Sequence, residues 1–388
     1  MARNPFYRDL PDYAEIKAQN PFRMSVHEAG FSRRAIIDKG DGFYDVMMGW
    51  RYDDHVGWCE DDGSIIFGDI GGQMEIGWNP DQGHGSIWRL KPDDTLEAIM
   101  PPDPNWKGTV FEPRLAPAHF GPWGGHTFFV GQTLPGRVGA TQPHAVYRVP
   151  PEGGAPETFC IVPNNGRIGG GVPGALMPGT FGRKGTPFEG VLFVQSFMNC
   201  TVYKVAPNGK IEPFLTLDFA DGTIMPQMVI NAPTWWKEHA GELVMFGAKG
   251  ASFESARVGD KSYGYWLIRP DGSLDPIDSP IAPIRAQVAP PEFGPFGGQL
   301  FYVEEGPVNL AQVAGCDEHQ DGMPYLGRLM RVSPDGEKHA FADDFQGSYT
   351  SLCFDKNRLL MGVVGLSYST GEHHEPDGAI YEIRWDGR

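Results

Sequence analysis

The strongest constraint on this chain is a two-part strand motif that recurs six times along it. The first part is a short apolar strand ending in a Gly or polar residue, with its third position at Phe67, Val130, Val194, Phe246, Val303 and Met361. Successive copies stand 52 to 64 residues apart. The second part is a strand led by Trp88, Tyr147, Tyr203, Trp266, Met330 or Tyr381 that runs into a turn such as Pro-Asp-Gly or Pro-Asn-Gly. Large apolar residues alternate with charged or small ones in it, the period-2 signature of a half-buried strand, and the turn glycine supplies the positive φ of a tight hairpin. A third strand follows each turn, and a fourth precedes each first part, most visibly where LAPAHFGPWGG around Phe120 matches VAPPEFGPFGG around Phe293. Four strands per unit and six units predict an all-β six-bladed β-propeller.

The chain ends test that arithmetic. The sixth unit stops at Asp386-Gly387-Arg388, directly after its turn, and so lacks an outermost strand. Arg34 to Asp38 reads as a strand with no unit of its own. If it completes the last blade, the circle closes and no sheet edge is left open. Residues 31–388 are then one propeller domain, and residues 1–30 an N-terminal extension. The 52 Gly and 35 Pro agree, because such density opposes long helices while every blade needs several turns. A hydrophobic content of 40% with 12% aromatics is ample for the core.

Charge and motif content narrow the partners. A net charge of -17 disfavours nucleic acid and anionic membranes, which attract basic surfaces, and suits a cation or a small neutral molecule. Five cysteines with no C-x-x-C pair read as reduced thiols. The first 20 residues have no apolar h-region, and no run of 18 apolar residues occurs, which points to a soluble cytoplasmic protein. No P-loop or nucleophile elbow occurs, and the Gly-rich GRIGGGVPG reads as a loop without the helix that would make it a phosphate cradle.

With strands lettered a to d from the innermost outward, the segment leading into strand a and the b–c loop lie on one face of a propeller. That geometry selects Asp54, His55 and Glu112 as candidate acid–base residues, since a carboxylate or imidazole beside a channel sits in the partial burial that suits proton transfer. His84, His144, His319 and His373 fall in the b–c loops of blades 1, 2, 5 and 6, and imidazoles gathered beside carboxylates are transition-metal ligands. His119, His126, His239 and His339 fall at the opposite end or on outer strands and read as ordinary surface or hydrogen-bonded residues. Trp50, Phe197 and Tyr349 are candidates for an apolar wall, and Glu305 for a polar contact to substrate. Long b–c loops in blades 4 to 6 exceed what a hairpin needs and match what covers a binding site or makes a partner interface.

The repeats, best seen in GVLFVQSFMNCTVYKVAPNGKIEPF and in GGQLFYVEEG followed by GRLMRVSPDGEKHAF, resemble the six-bladed propellers of the senescence-marker-protein/gluconolactonase, NHL-repeat and strictosidine-synthase-like proteins. The resemblance to gluconolactonases implies one divalent cation held by a Glu, an Asn and an Asp. Asp54 stands where the ligand Glu is expected, and Asn231 in VINAPTWW matches the ligand Asn. The expectation is therefore an enzyme that uses a divalent metal, calcium, zinc or iron, to hydrolyse a small lactone or ester. A lyase or metal-dependent oxygenase built on the histidines, and a propeller that binds without chemistry, are the alternatives.

Overall fold

A computed structural model describes residues 22–38, 40–44, 46–51, 57–69, 71, 85–103, 106, 108–131, 145–163, 176–196, 200–217, 224–249, 262–278, 286–304, 326–346, 348–364 and 378–387. The described residues form six antiparallel sheets of four blade strands each, a six-bladed β-propeller, joined by turns and two short 3-10 segments. No described helix is long and apolar enough to cross a membrane.

The contacts gather the blades into two compact units of three. One holds blades 5, 6 and 1. In blade 1, strand a is Val46–Met48, b is Ile65–Asp69, c is Ser86–Leu90 and d is Leu96–Met100. Blade 6 runs Ser348–Asp355, Arg358–Val364, Ala379–Trp385, and its strand d is the N-terminal Phe31–Ile37. The pairing Phe31↔Trp385 through Ile37↔Ile380 is the closure predicted from the chain ends. Blade 5 gains a fifth strand, because Ser25–Val26 pairs with Asp343 and Ala342 on its outer edge. The segment read as an extension is therefore laced along two blades from residue 22 on. Phe22 packs 5.0 Å from Tyr381, and Met24 is buried among Phe293, Phe301 and Phe341. Each such aromatic contributes about 1.5–3 kcal/mol by leaving water.

The other unit holds blades 2, 3 and 4. Their c strands show why the repeat folds as it does. Ala145–Val149 and Thr201–Val205 share one burial pattern in which only the fourth position, Arg148 or Lys204, is half-exposed. Those two cations lie over aromatics: Arg148 is 3.5 Å from the Trp123 ring and Lys204 3.4 Å from Phe214. In blade 2 the a–b connection is the Phe-Gly-Pro turn, with Gly121 at φ 63°, and it tucks Phe120 edge-on against Phe128 and Phe181. Gly294 repeats the turn in blade 5 at φ 64°.

Innermost strands have a free backbone edge, and side chains from the next blade fill it. In the first unit Gln287 donates through Nε2 to the Leu352 carbonyl while its Oε1 accepts from the Phe354 N–H. The Met48 N–H donates to Ser351 Oγ over 3.1 Å. In the second unit the same work falls to Arg114, which reaches the Gly179 carbonyl, and to Asn231, which reaches Thr180 and Phe181.

Candidate functional site

Strand a of blade 2, Phe111–Leu115, shares a bulge with the a strands of blades 3, 4 and 6 and differs from them in what the bulge holds and in what lies beside it. Its register against strand b slips between Phe111 and Arg114, so one extra residue is accommodated as a bulge. Within that bulge Glu112 holds φ 26°, a conformation that non-glycine residues adopt only at a cost. The strand also gains a parallel neighbour on its inner side, with Trp50↔Arg114 and Arg51↔Leu115 in register.

These irregularities assemble one group. The Arg114 side chain is 3% exposed, and its guanidinium lies 3.9 Å from the centre of the Trp50 ring. Its Nε donates to the Gly179 carbonyl over 2.9 Å, one terminal nitrogen to the Glu112 carbonyl over 3.0 Å, and the other to Glu112 Oε2 over 2.8 Å. Burial pulls the Arg114 guanidinium below its ordinary value, and the Glu112 carboxylate acts in the opposite direction. Glu112 is thus fixed through one oxygen and through its own backbone, while no described residue donates to its Oε1. Its side chain is 12% exposed. A carboxylate held this way can accept a proton from water, bind a hydroxyl, or face a cation.

Of the residues selected from the sequence, the structure brings Glu112 and Trp50 together through Arg114, whose part the sequence reading missed. The signal was present in the E-P-R spacing, since residues i and i+2 share one face of a strand, but a bulge is invisible in the residue pattern. Trp50 is 6% exposed, with its face covered by the guanidinium. Asn231 is the last residue of strand a of blade 4, Ile224–Asn231. Its amide donates to Thr180 Oγ1 over 3.0 Å and to the Phe181 carbonyl over 2.8 Å, joining two innermost strands. No described residue donates to its Oδ1, which is left as a hard oxygen ligand of the kind a divalent cation accepts. Tyr349 falls in strand a of blade 6, with its side chain outside the described residues.

Asp54, His55, His84, His144, Phe197, Glu305, His319 and His373 lie outside the described residues. Strand a of blade 1 begins at Val46, upstream of Asp54 and His55, so that pair follows the strand in the chain rather than leading into it. Among the described residues no three His, Cys, Asp or Glu side chains are gathered as a metal site. Of the histidines set aside as structural, His119 and His239 are hydrogen-bonded, while His126 packs edge-on against Trp123 with its buried Nδ1 lacking a described hydrogen-bond partner. His119 Nε2 is 2.9 Å from the Gly182 carbonyl, and His239 Nδ1 is 3.0 Å from Glu242.

No protein-family model matches the sequence. No curated protein matches it either. Similar solved structures include a catalytically inactive virginiamycin B lyase from Staphylococcus aureus with quinupristin, 11% identical over 91% of this chain and 99% of the other, at a TM-score of 0.44. The α-L-arabinofuranosidase of Fusarium graminearum with arabinobiose is 14% identical over 91% and 97%, at 0.48. A gluconolactonase from Xanthomonas campestris is 11% identical over 94% of each chain, at 0.36.

Proposed function

We propose that the protein is a hydrolase of a small lactone or ester, with Glu112 as its base. The observation that carries this reading is the Glu112 carboxylate itself, fixed by a buried arginine at one oxygen, with no described residue donating to the other, and mounted on strained backbone. Strain and a buried charge pair at an innermost strand cost stability, and such costs cluster at working sites. In the proposed reaction Glu112 Oε1 takes a proton from water as the oxygen adds to the substrate carbonyl. The tetrahedral adduct collapses with cleavage of the ester C–O bond, and the proton returns to the departing alkoxide. Arg114 is a positioning residue, and Trp50 holds it in place. Asp54 and His55 follow Trp50 closely in the chain and are the proposal's candidates for the second proton transfer. Phe197, Glu305 and Tyr349 are its candidate substrate contacts.

A divalent metal belongs to the same proposal, with His84, His144, His319, His373 and Asn231 as the residues that would hold it. When bound, such an ion polarises a carbonyl and acidifies water. Asn231 fits a ligand role, since its amide hydrogens are engaged and its oxygen is left.

The test is a panel of aliphatic lactones and aryl esters assayed with untagged protein, wild type beside Glu112→Gln, with elemental analysis of the same preparation. Turnover that falls by about 10²–10⁴ in the variant, assayed at a temperature where it is still folded, supports the reading. Equal turnover in both proteins, or none with any substrate, overturns it. Stoichiometric metal that is lost on His84→Ala or His319→Ala supports the metal assignment, and metal-free active protein refutes that part alone.

A further inference from the structure

Two cysteines that the proposed reaction does not use meet where blade 6 abuts blade 1. Cys353 lies in strand a of blade 6 and is 1% exposed. Cys59 is half-buried and bridges to Ile65 at the start of strand b of blade 1. Neither sulfur is in a disulfide. The two backbones approach closely: the Gly57 N–H donates to the Leu352 carbonyl over 3.0 Å, and Cys353 Sγ lies 3.4 Å from the Gly57 carbonyl. A Cβ placed on Gly57 would stand 2.6 Å from Cβ of Cys353, so only glycine allows the strands this near. The single S–H of Cys353 has the Gly57 carbonyl at 3.4 Å, the Phe354 carbonyl at 4.0 Å and the Cys59 sulfur as acceptors.

That thiol–thiol hydrogen bond separates the pair chemically. It draws the Cys59 thiol below its ordinary value against the effect of burial, whereas Cys353 is pushed well above its own by the same bond and by burial. The half-exposed member therefore carries the thiolate character that makes a cysteine the attacking group, and the buried member waits beside it.

We propose that Cys59 and Cys353 form an oxidation site at which a hydroperoxide converts the two thiols into a disulfide tying blade 1 to blade 6. The Cys59 thiolate attacks one peroxide oxygen, so that an S–O bond forms, the O–O bond breaks, and the departing oxygen leaves as water or alcohol. Cys353 then attacks the sulfenic sulfur. An S–S bond forms, the S–O bond breaks, and the hydroxide leaves as water with the Cys353 proton. Two thiols are oxidised and one peroxide is reduced. The link ties strand a of blade 6 to the segment that leads into strand b of blade 1.

The experiment treats the intact full-length protein with hydrogen peroxide, blocks remaining thiols under denaturing conditions, and maps peptides by mass spectrometry without reduction. The expected result is one linked pair containing Cys59 and Cys353, reversed by dithiothreitol, together with an upward shift of the urea unfolding midpoint. Cys160 serves as an internal control, because burial pushes its thiol up to about 12 and it should stay unmodified. In Cys353→Ser, Cys59 should run on to sulfinic acid with no link. If that variant does not fold, the wild-type map decides alone. Recovery of both thiols unmodified, a sulfinic Cys59 in the wild type without a link, or a disulfide between other cysteines overturns the proposal.

Discussion

Replacing Glu382 with Gln should destabilise the closure of the last blade by about 2–3 kcal/mol. Glu382 sits on strand c of blade 6 with its side chain 3% exposed, and three arginines converge on it. Arg34 Nε, from the N-terminal strand, lies at 2.9 Å, Arg384 at 3.0 Å and Arg358 at 3.3 Å. Glutamine keeps the volume and one acceptor but turns an amide N–H₂ toward the guanidiniums and removes the compensating charge. Stranding a buried charge outright costs about 3–5 kcal/mol. Arg358, 7% exposed, keeps Asp355 at 2.8 Å and the Gly63 carbonyl at 3.2 Å, so its loss is partial. Arg34 and Arg384 are 43% and 37% exposed, and each adds no more than about 0.5 kcal/mol. Urea unfolding of the two proteins reads the difference as a shift of midpoint at constant slope. The acid side supplies an independent check. Burial alone would raise the Glu382 carboxyl, but hydrogen bonds from Arg34 and Arg384 outweigh it and hold it below 4.5. Its contribution is therefore fully present above that value and disappears as pH falls through the folded-state value, so the gap between wild type and variant should narrow on acidification. A variant as stable as wild type near neutrality, or a gap that widens in acid, would refute the reasoning.

Other perturbations test separate parts of the structure. Gly182→Ala would set a Cβ 1.8 Å from the Phe188 carbonyl oxygen in the a–b turn of blade 3, and should cost about 3 kcal/mol or more, seen as a lowered melting temperature. Asp94→Gly relieves a φ of 66° while removing the Arg34 ion pair, two effects of opposite sign. Stability should stay within about 0.5 kcal/mol of wild type in urea, and a larger loss would make that pair a principal bond of the closure. Arg114→Lys should lower turnover of the best substrate through kcat, leaving KM unchanged, because lysine cannot reproduce the three donated bonds or the stack on Trp50 that position Glu112. A rise in KM alone would place Arg114 in substrate binding instead.

Much of the fold was legible because it is written six times. A weak strand signal repeated at near-regular spacing constrains a chain more than one strong signal, and the missing outer strand of the sixth unit named its own replacement. What stayed hidden were departures from the repeat, and each has a local physical cause. Blade 1 ends its c–d turn in Asp94 where Gly209 and Gly336 stand in blades 3 and 5; read as a motif, that is a degenerate copy. In the structure the same Asp94 carboxylate receives Arg34 of the strand that completes blade 6, an ion pair that a glycine at this position could not make. Glu112 behaves alike. Its spacing from Arg114 was in view, but the bulge that turns it, and the strand at Trp50 that backs it, come from pairings far apart in sequence. A repeat encodes what all blades share. The chemistry proposed for Glu112 rests on what blade 2 adds to that pattern among the described residues, the left-handed φ at Glu112 and the parallel strand at Trp50, and neither follows from the residues the blades share.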